Sequence, residues 1–377
     1  MIGGRVLFVT WSGGGNTAPT YPLARRLVTR GHKVTILGQA AQKEAARELG
    51  AAFVPVGMPS WTPGKSLEDE ADVFLPLLFG PAVGNAVAEQ IQQDTPTAII
   101  VDCMLTSALA AAERSKIPSA VLVHVLYQQL VDGMMGRMWE SALPLINETR
   151  SGFGVSPVRS STALMAPMNA VLVACPQEFD APVTTLPPNV RYVGAILDDP
   201  PPRPERSPWN GDHGRPRILV AFSTTCQHQE EALRRVAAAL ADLPVQAVIT
   251  LGPGVDPSAI EPASNVALHH YVPHRALLPD CALVVTHAGL GAVMASLAHG
   301  VPLLCMPMGR EQGENASRVA ACSAGEVLAA DSPVDEIRDT VRRMLETSDY
   351  REAARRMAAI IASQDGLAAA VAEVERL

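Results

Sequence analysis

Short runs of β-branched and aliphatic residues recur along the chain, each followed by a stretch whose apolar positions return every three or four residues. A run that is apolar throughout fits a strand buried on both faces, and the longer period fits a helix laid over it. Up to residue 200 the pattern predicts strands at 5–11, 33–37, 52–56, 97–102 and 118–122, with helices at 19–30, 40–48 and 105–115. Beyond residue 216 it predicts strands at 218–222, 245–250, 265–270, 281–286 and 303–306, with helices at 228–240 and 293–299. Between these halves, 198–216 is dense in proline, glycine and charge, the composition of a linker. The alternation predicts an α/β chain of two doubly wound, Rossmann-like, mostly parallel sheets facing one another across a cleft. Residues 350–377 read as helical, with alanines and interspersed charges.

Composition fits two domains with separate cores: the chain has 377 residues, 48% of them hydrophobic. A formal net charge of −8 with no basic block argues against a nucleic-acid partner and against an anionic membrane surface. The apolar stretch 73–87 is broken by Pro76, Gly80, Pro81 and Gly84 and falls short of the roughly 20 residues of a membrane helix. The N-terminus reads as strand and turn rather than as a signal peptide, so a cytoplasmic protein is expected. Six cysteines never form C-x-x-C, which suggests neither a zinc site nor a disulfide framework, and no Asp-x-Asp pair is present to hold a metal. No cofactor or metal is therefore expected, and a homodimer is compatible with the sequence.

The candidate chemistry is concentrated in 287–318. The turn His287-Ala-Gly289-Leu290-Gly291-Ala292 follows an apolar strand and opens a helix. The first amides of a helix lack intrahelical acceptors and carry about half a positive charge, and glycines let an anion approach the bare backbone. His287 adds a further donor for a phosphate oxygen. A second buried strand then delivers Glu311 and Gln312 to the carboxyl end of the sheet, where open α/β sheets bind ligands. A carboxylate accepts sugar hydroxyls, and an amide both donates and accepts.

This segment resembles the donor-binding signature of family 1 glycosyltransferases, the superfamily that includes actinobacterial antibiotic glycosyltransferases. Tyr271-Val272-Pro-His274 is similar to the family's aromatic-Val-Pro-Gln segment, with His274 in place of Gln. The resemblance implies the GT-B fold, an acceptor-binding domain over 1–200, a linker over 201–216, a nucleotide-sugar domain over 217–360 and a helix crossing back over 361–377. It further implies that the Tyr271 ring stacks on the base and the Val272 backbone pairs with its edge. The nucleotide sugar is then a co-substrate, TDP- or UDP-linked. Ser223 and Thr224, directly after the second half's first strand, could add hydroxyl contacts to phosphate or ribose. Two positions depart from the pattern: Ala292 stands where Thr or Ser is common, and Ala295 where a ribose-binding Glu is usual.

In the first half, Gly13-Gly-Gly-Asn16-Thr-Ala18 has the form of a dinucleotide fingerprint. The next strand ends in Gly38-Gln39-Ala40, without the acid that would bind a ribose. The turn is closer to the family's Gly-His-x-x-Pro, with the usual catalytic histidine replaced by Asn16, whose amide cannot take a proton. Asp102, ending a buried strand, fits the aspartate that orients that histidine. Asp102 is therefore expected to act as general base, directly or through water, with Asn16 orienting the acceptor; His124 and Asp132 are alternatives. Asp102 as a plain helix N-cap is the competing reading. The acceptor is expected to be a small, hydrophobic natural product, met by apolar surface in 58–75 and by Met134, Met135, Met138 and Trp139. An inverting sugar transfer leads, followed by a sugar-nucleotide-binding auxiliary protein that has lost catalysis, and then by an NAD(P)-dependent oxidoreductase.

Overall fold

The computed structural model describes residues 3–57, 74–180, 182, 185–199, 207–209, 214–222, 229–252 and 255–377. The chain divides into two compact units, Met1–Asp198 with Gln364–Leu377, and Asp199–Ser363.

In the first unit the strands are β1 Arg5–Val9, β2 Lys33–Gly38, β3 Ala52–Pro55, β4 Ala98–Asp102, β5 Ser119–Val123, β6 Ala170–Val173 and β7 Val190–Tyr192. They form one parallel sheet in the order β3-β2-β1-β4-β5-β6-β7. Its helices include α1 Thr17–Thr29, α2 Lys43–Glu48, α3 Ala82–Gln93, α4 Thr106–Ser115, α5 Tyr127–Val131 and α6 Met134–Gly152. β4 and β5 are buried along their whole length, as strands covered on both faces must be.

The second unit repeats the plan. Its strands β8 Arg217–Ala221, β9 Gln246–Thr250, β10 Val266–His269, β11 Leu283–Thr286, β12 Leu303–Cys305 and β13 Gly325–Val327 lie parallel in the order β10-β9-β8-β11-β12-β13. The helices are α7 Glu230–Ala241, α8 His274–Leu277, α9 Leu290–Ala298, α10 Gln312–Ala321, α11 Val334–Glu346 and α12 Ser348–Gln364. In each sheet the chain direction of winding reverses beside the first strand, between β1 and β4 and between β8 and β11. Those reversals open crevices at the carboxyl ends of the strands, where ligands of such sheets bind.

The predicted strands and helices recur within a few residues of their expected ends. The additional elements are α3, α5, α6, α8, α10 and α11 and the short strands β6, β7 and β13. The described part of the linker is no free tether. Trp209 packs with Leu219, Val248 and Val272 of the second unit, and the Arg217 guanidinium lies over its ring at 5.3 Å.

At the other end, 348–375 is apolar and long enough by composition for a membrane span. Asp365, left-handed at φ 41°, interrupts it and caps the final helix, α13 Gly366–Glu375, by accepting from the Ala368 amide. Leu367, Ala370, Val371 and Val374 of α13 enter the core of the first unit, and Glu375 pairs with Arg30 and His32. α12 instead belongs, through Ser363, to the second unit. Core helices pass the same compositional test, and the split between two cores explains the apolar content here.

Candidate functional site

The carboxyl edge of the first sheet gathers three loops. Asn16 opens α1 after β1, Asp102 ends β4, and His124 follows β5. Because β4 pairs with both β1 and β5, with Val101 level with Val9 and Asp102 level with Leu122, residues distant in sequence converge. Asn16 Nδ2 donates to Asp102 Oδ2 at 3.0 Å and lies within reach of the Trp11 carbonyl at 2.8 Å and of Thr10 Oγ1 at 3.2 Å. Its Oδ1 accepts from the Gly13 amide at 3.1 Å.

Asn16 is buried, and both ends of its amide serve its own chain. An amide bonded in this way inside the fold pins a turn and a carboxylate, alongside the expected role of Asn16 toward an acceptor. Asp102 is not an N-cap either. The cap position of α4 is Leu105, while Asp102 Oδ1 accepts from the Met104 amide at 3.0 Å.

His124 stands beside the same carboxylate, its Nδ1 3.4 Å from Asp102 Oδ2 and 3.6 Å from Cys103 Sγ. Its side chain is 10% exposed against 2% for Asp102. Asp102, Cys103 and His124 bring potential metal-ligand atoms within 4.8 Å of one another, the one such grouping among the described residues. Asp132 is exposed at the end of α5, with its carboxylate bonded to Gln128 Nε2.

The glycine turn is closed on itself. The Ser12 amide donates to Gln39 Oε1 at 2.8 Å, Gly13 to Asn16 Oδ1, Gly15 to the Gly13 carbonyl, and Thr17 to that of Gly14. A dinucleotide would need those amides for its pyrophosphate. Gln39 and Gln42, together with the buried Trp11, are the residues that sequence reasoning passed over; Gln42 Nε2 reaches the Trp11 carbonyl that Asn16 also uses.

In the second unit β11 runs between β8 and β12, with Thr286 level with Ala221 and Cys305. The chain then turns through His287 and Ala288 into α9, capped by Gly289 without any side-chain hydrogen bond. The first helical bond runs from the Val293 amide to the Gly289 carbonyl, so the amides of Leu290, Gly291 and Ala292 precede the helical ladder and face out along its axis. Ala288 makes the turn at φ 68°, a left-handed conformation costly for a residue with a Cβ. Its amide donates to Thr286 Oγ1 and its carbonyl accepts from Asn315 Nδ2. Gly289 is required because a Cβ there would lie 2.8 Å from His287 Nε2.

Burial pushes the His287 imidazole down to about 4, with a hydrogen bond to the Ala221 backbone opposing and the Arg310 charge adding to the shift. At neutral pH the ring is thus uncharged, with its single N–H available to the Ala221 backbone, and the helix amides supply the positive field for an anion. Burial likewise takes His274 to about 4, its Nε2 2.9 Å from Thr250 Oγ1. Tyr271 projects into solvent with 79% of its surface exposed, and Val272 beneath it is buried. An exposed ring on a fixed backbone is what stacking on a base requires.

Glu311 is the cap residue of α10, and Gln312 is buried behind it with Oε1 accepting from the Met308 amide at 2.8 Å. That bond ties the Gln312 oxygen to the loop that leads into α10. Ser223 and Thr224 lie outside the described residues, as does most of 58–75. Of the apolar acceptor candidates, Trp139 is wholly buried, a core residue, whereas Met134, Met135 and Met138 are partly exposed on α6.

Residues 234–377 match the family described as Erythromycin biosynthesis protein CIII-like, C-terminal domain. Over its whole length the chain is 28% identical to 4'-demethylrebeccamycin synthase of Lentzea aerocolonigenes, covering 100% of each. It is 25% identical to the oleandomycin glycosyltransferase of Streptomyces antibioticus, over 93% of this chain and 86% of that one. Among solved structures, the calicheamicin glycosyltransferase CalG4 superposes with a TM-score of 0.83 at 25% identity, covering 100% of this chain and 98% of its own.

Proposed function

We propose that this chain, a glycosyltransferase of the GT-B fold and of the antibiotic and natural-product type, moves a hexose or deoxyhexose from a TDP- or UDP-linked donor to a small hydrophobic acceptor with inversion at the anomeric carbon. The observation that carries the donor half is the opening of α9: outward amides at Leu290, Gly291 and Ala292, a bare Gly289, and the uncharged, buried His287 ring beside Gly289. As the anomeric C–O bond breaks, charge grows on the leaving diphosphate, and dipoles already aimed at it stabilise that charge without reorganising. Tyr271 stacks on the base, the Val272 backbone meets the base edge, and Glu311 accepts sugar hydroxyls. Ala292 and Ala295 leave the phosphate and ribose to the backbone and to neighbouring groups.

The Asp102 cluster supports catalysis rather than an auxiliary role, since a carboxylate and an imidazole stand together at the carboxyl edge of the acceptor-side sheet. The self-satisfied glycine turn speaks against an oxidoreductase. Calorimetric titration with UDP and dTDP tests the donor half. One of the two binds the wild type, and His287→Ala and Tyr271→Ala each weaken that binding about tenfold, or roughly 1.4 kcal/mol. A chain that binds neither nucleotide, or variants that bind as well as the wild type, would contradict the proposal.

A further inference from the structure

We infer that His124 is the general base of this enzyme, a role the chain has moved from the α1 turn, where Asn16 stands, to the end of β5. The inference rests on the transferase reading above and assigns the proton acceptor within it. Both Asp102 oxygens are engaged, Oδ1 by the Met104 amide and Oδ2 by Asn16 Nδ2, and the carboxylate is 2% exposed, which leaves it poorly placed to receive a proton from a bulky acceptor.

The His124 imidazole lies on the more open side of that carboxylate. Nδ1 faces Asp102 Oδ2 at 3.4 Å and Cys103 Sγ at 3.6 Å, both able to accept, so a proton on Nδ1 serves the pair and the lone pair falls on Nε2. Among the described residues Nε2 has no hydrogen-bond partner. The 3.4 Å separation exceeds that of a formed hydrogen bond, and contacts of this kind tighten once a substrate docks. Asn16 completes the device by fixing Oδ2 from the other side, which makes Asn16 and Asp102 positioning residues for His124. An aspartate at 16 would instead place a second negative charge against Asp102.

The step balances simply. Nε2 takes the proton from the acceptor hydroxyl while that oxygen bonds to the anomeric carbon. The bond from that carbon to the diphosphate oxygen breaks, and its electron pair leaves with the nucleoside diphosphate. The imidazolium rests against the Asp102 carboxylate until it releases the proton to solvent.

The test compares two kinds of acceptor in one enzyme. A plain alcohol needs its proton removed, whereas an acidic phenol such as 4-nitrophenol is largely ionised beforehand. With UDP-glucose or dTDP-glucose as donor, His124→Asn keeps an amide beside Asp102 but cannot accept a proton. We expect kcat toward benzyl alcohol to fall about 100-fold or more while kcat toward 4-nitrophenol falls less than about tenfold. Calorimetric nucleotide binding stays at the wild-type value, and Asp102→Asn shows a smaller loss with the same alcohol bias. Should His124→Asn unfold, His124→Gln takes its place. Unchanged turnover of the alcohol, or an equal loss on both acceptors, overturns the assignment. So does wild-type turnover that a chelator abolishes and zinc restores, which would make the Asp102, Cys103 and His124 cluster a metal centre. A wild type that binds the nucleotide yet glycosylates no acceptor removes the transferase reading, and this inference with it.

Discussion

At the scale of single residues, His274 and His287 are held near 4 by burial, far below the ordinary histidine value of 6.5. In the window between about 4 and 6.5 the unfolded chain binds protons that the folded chain refuses, so folding stability falls as the pH is lowered through it. Each histidine contributes a slope of about 1.4 kcal/mol per pH unit there. The thermal midpoint should therefore drop between pH 7 and pH 5, and by less in the His274→Gln, His287→Gln double variant; parallel curves would contradict the burial argument. Ala288 carries a different strain. Ala288→Gly should leave stability within about 1 kcal/mol of the wild type, because relief of the left-handed backbone offsets the added chain entropy, whereas the β-branched Ala288→Val should cost more than about 1 kcal/mol. Urea midpoints of the two variants measure the difference. The helix opening at Gly289 was legible in the sequence because a glycine turn joins an apolar strand to a helical run there. The anchoring of Asn16 to Asp102 was not, since the two meet only through the pairing of β1 with β4.

Among secondary-structure elements, the final helix has an exacting seat. A Cβ at Gly366 would sit 2.4 Å from the Ala195 carbonyl oxygen, and Gly194 turns with φ 92° against Gln364. Gly366→Ala should accordingly cost about 1–3 kcal/mol by overpacking and expose α13 to limited proteolysis; a protease-resistant, fully stable variant would show the contact to be soft. The long strands were readable because β4 and β5 are continuous apolar runs. β7 and β13 were not, because each is three residues long with a charged residue at its centre, Arg191 or Glu326, and so lacks an apolar run. α3 hides a packing demand, with Gly84 pressed against Phe153 and the Ser107 carbonyl, that reads locally as a helix breaker. The apolar content of 348–375 looks like one long segment until Asp365 divides it between two cores.

For the molecule as a whole, two sheets of the same winding carry different chemistry at equivalent places. At the switch point of the second sheet stand backbone amides ahead of a helix, and at the carboxyl edge of the first stand a carboxylate and an imidazole. Sequence alone reaches this division through the order of motifs, while the pairing of His124 with Asp102 depends on β4 and β5 lying side by side. The measurement that tests the account most directly is a mass-spectrometric assay of the wild type and His287→Ala with UDP-glucose and dTDP-glucose against a panel of hydrophobic phenols and alcohols. The expected result is an acceptor product heavier by one sugar with release of the matching nucleoside diphosphate, and a loss of about tenfold or more in kcat/KM for the variant. Absence of a sugar-bearing product across the panel, or a variant as active as the wild type, would contradict it.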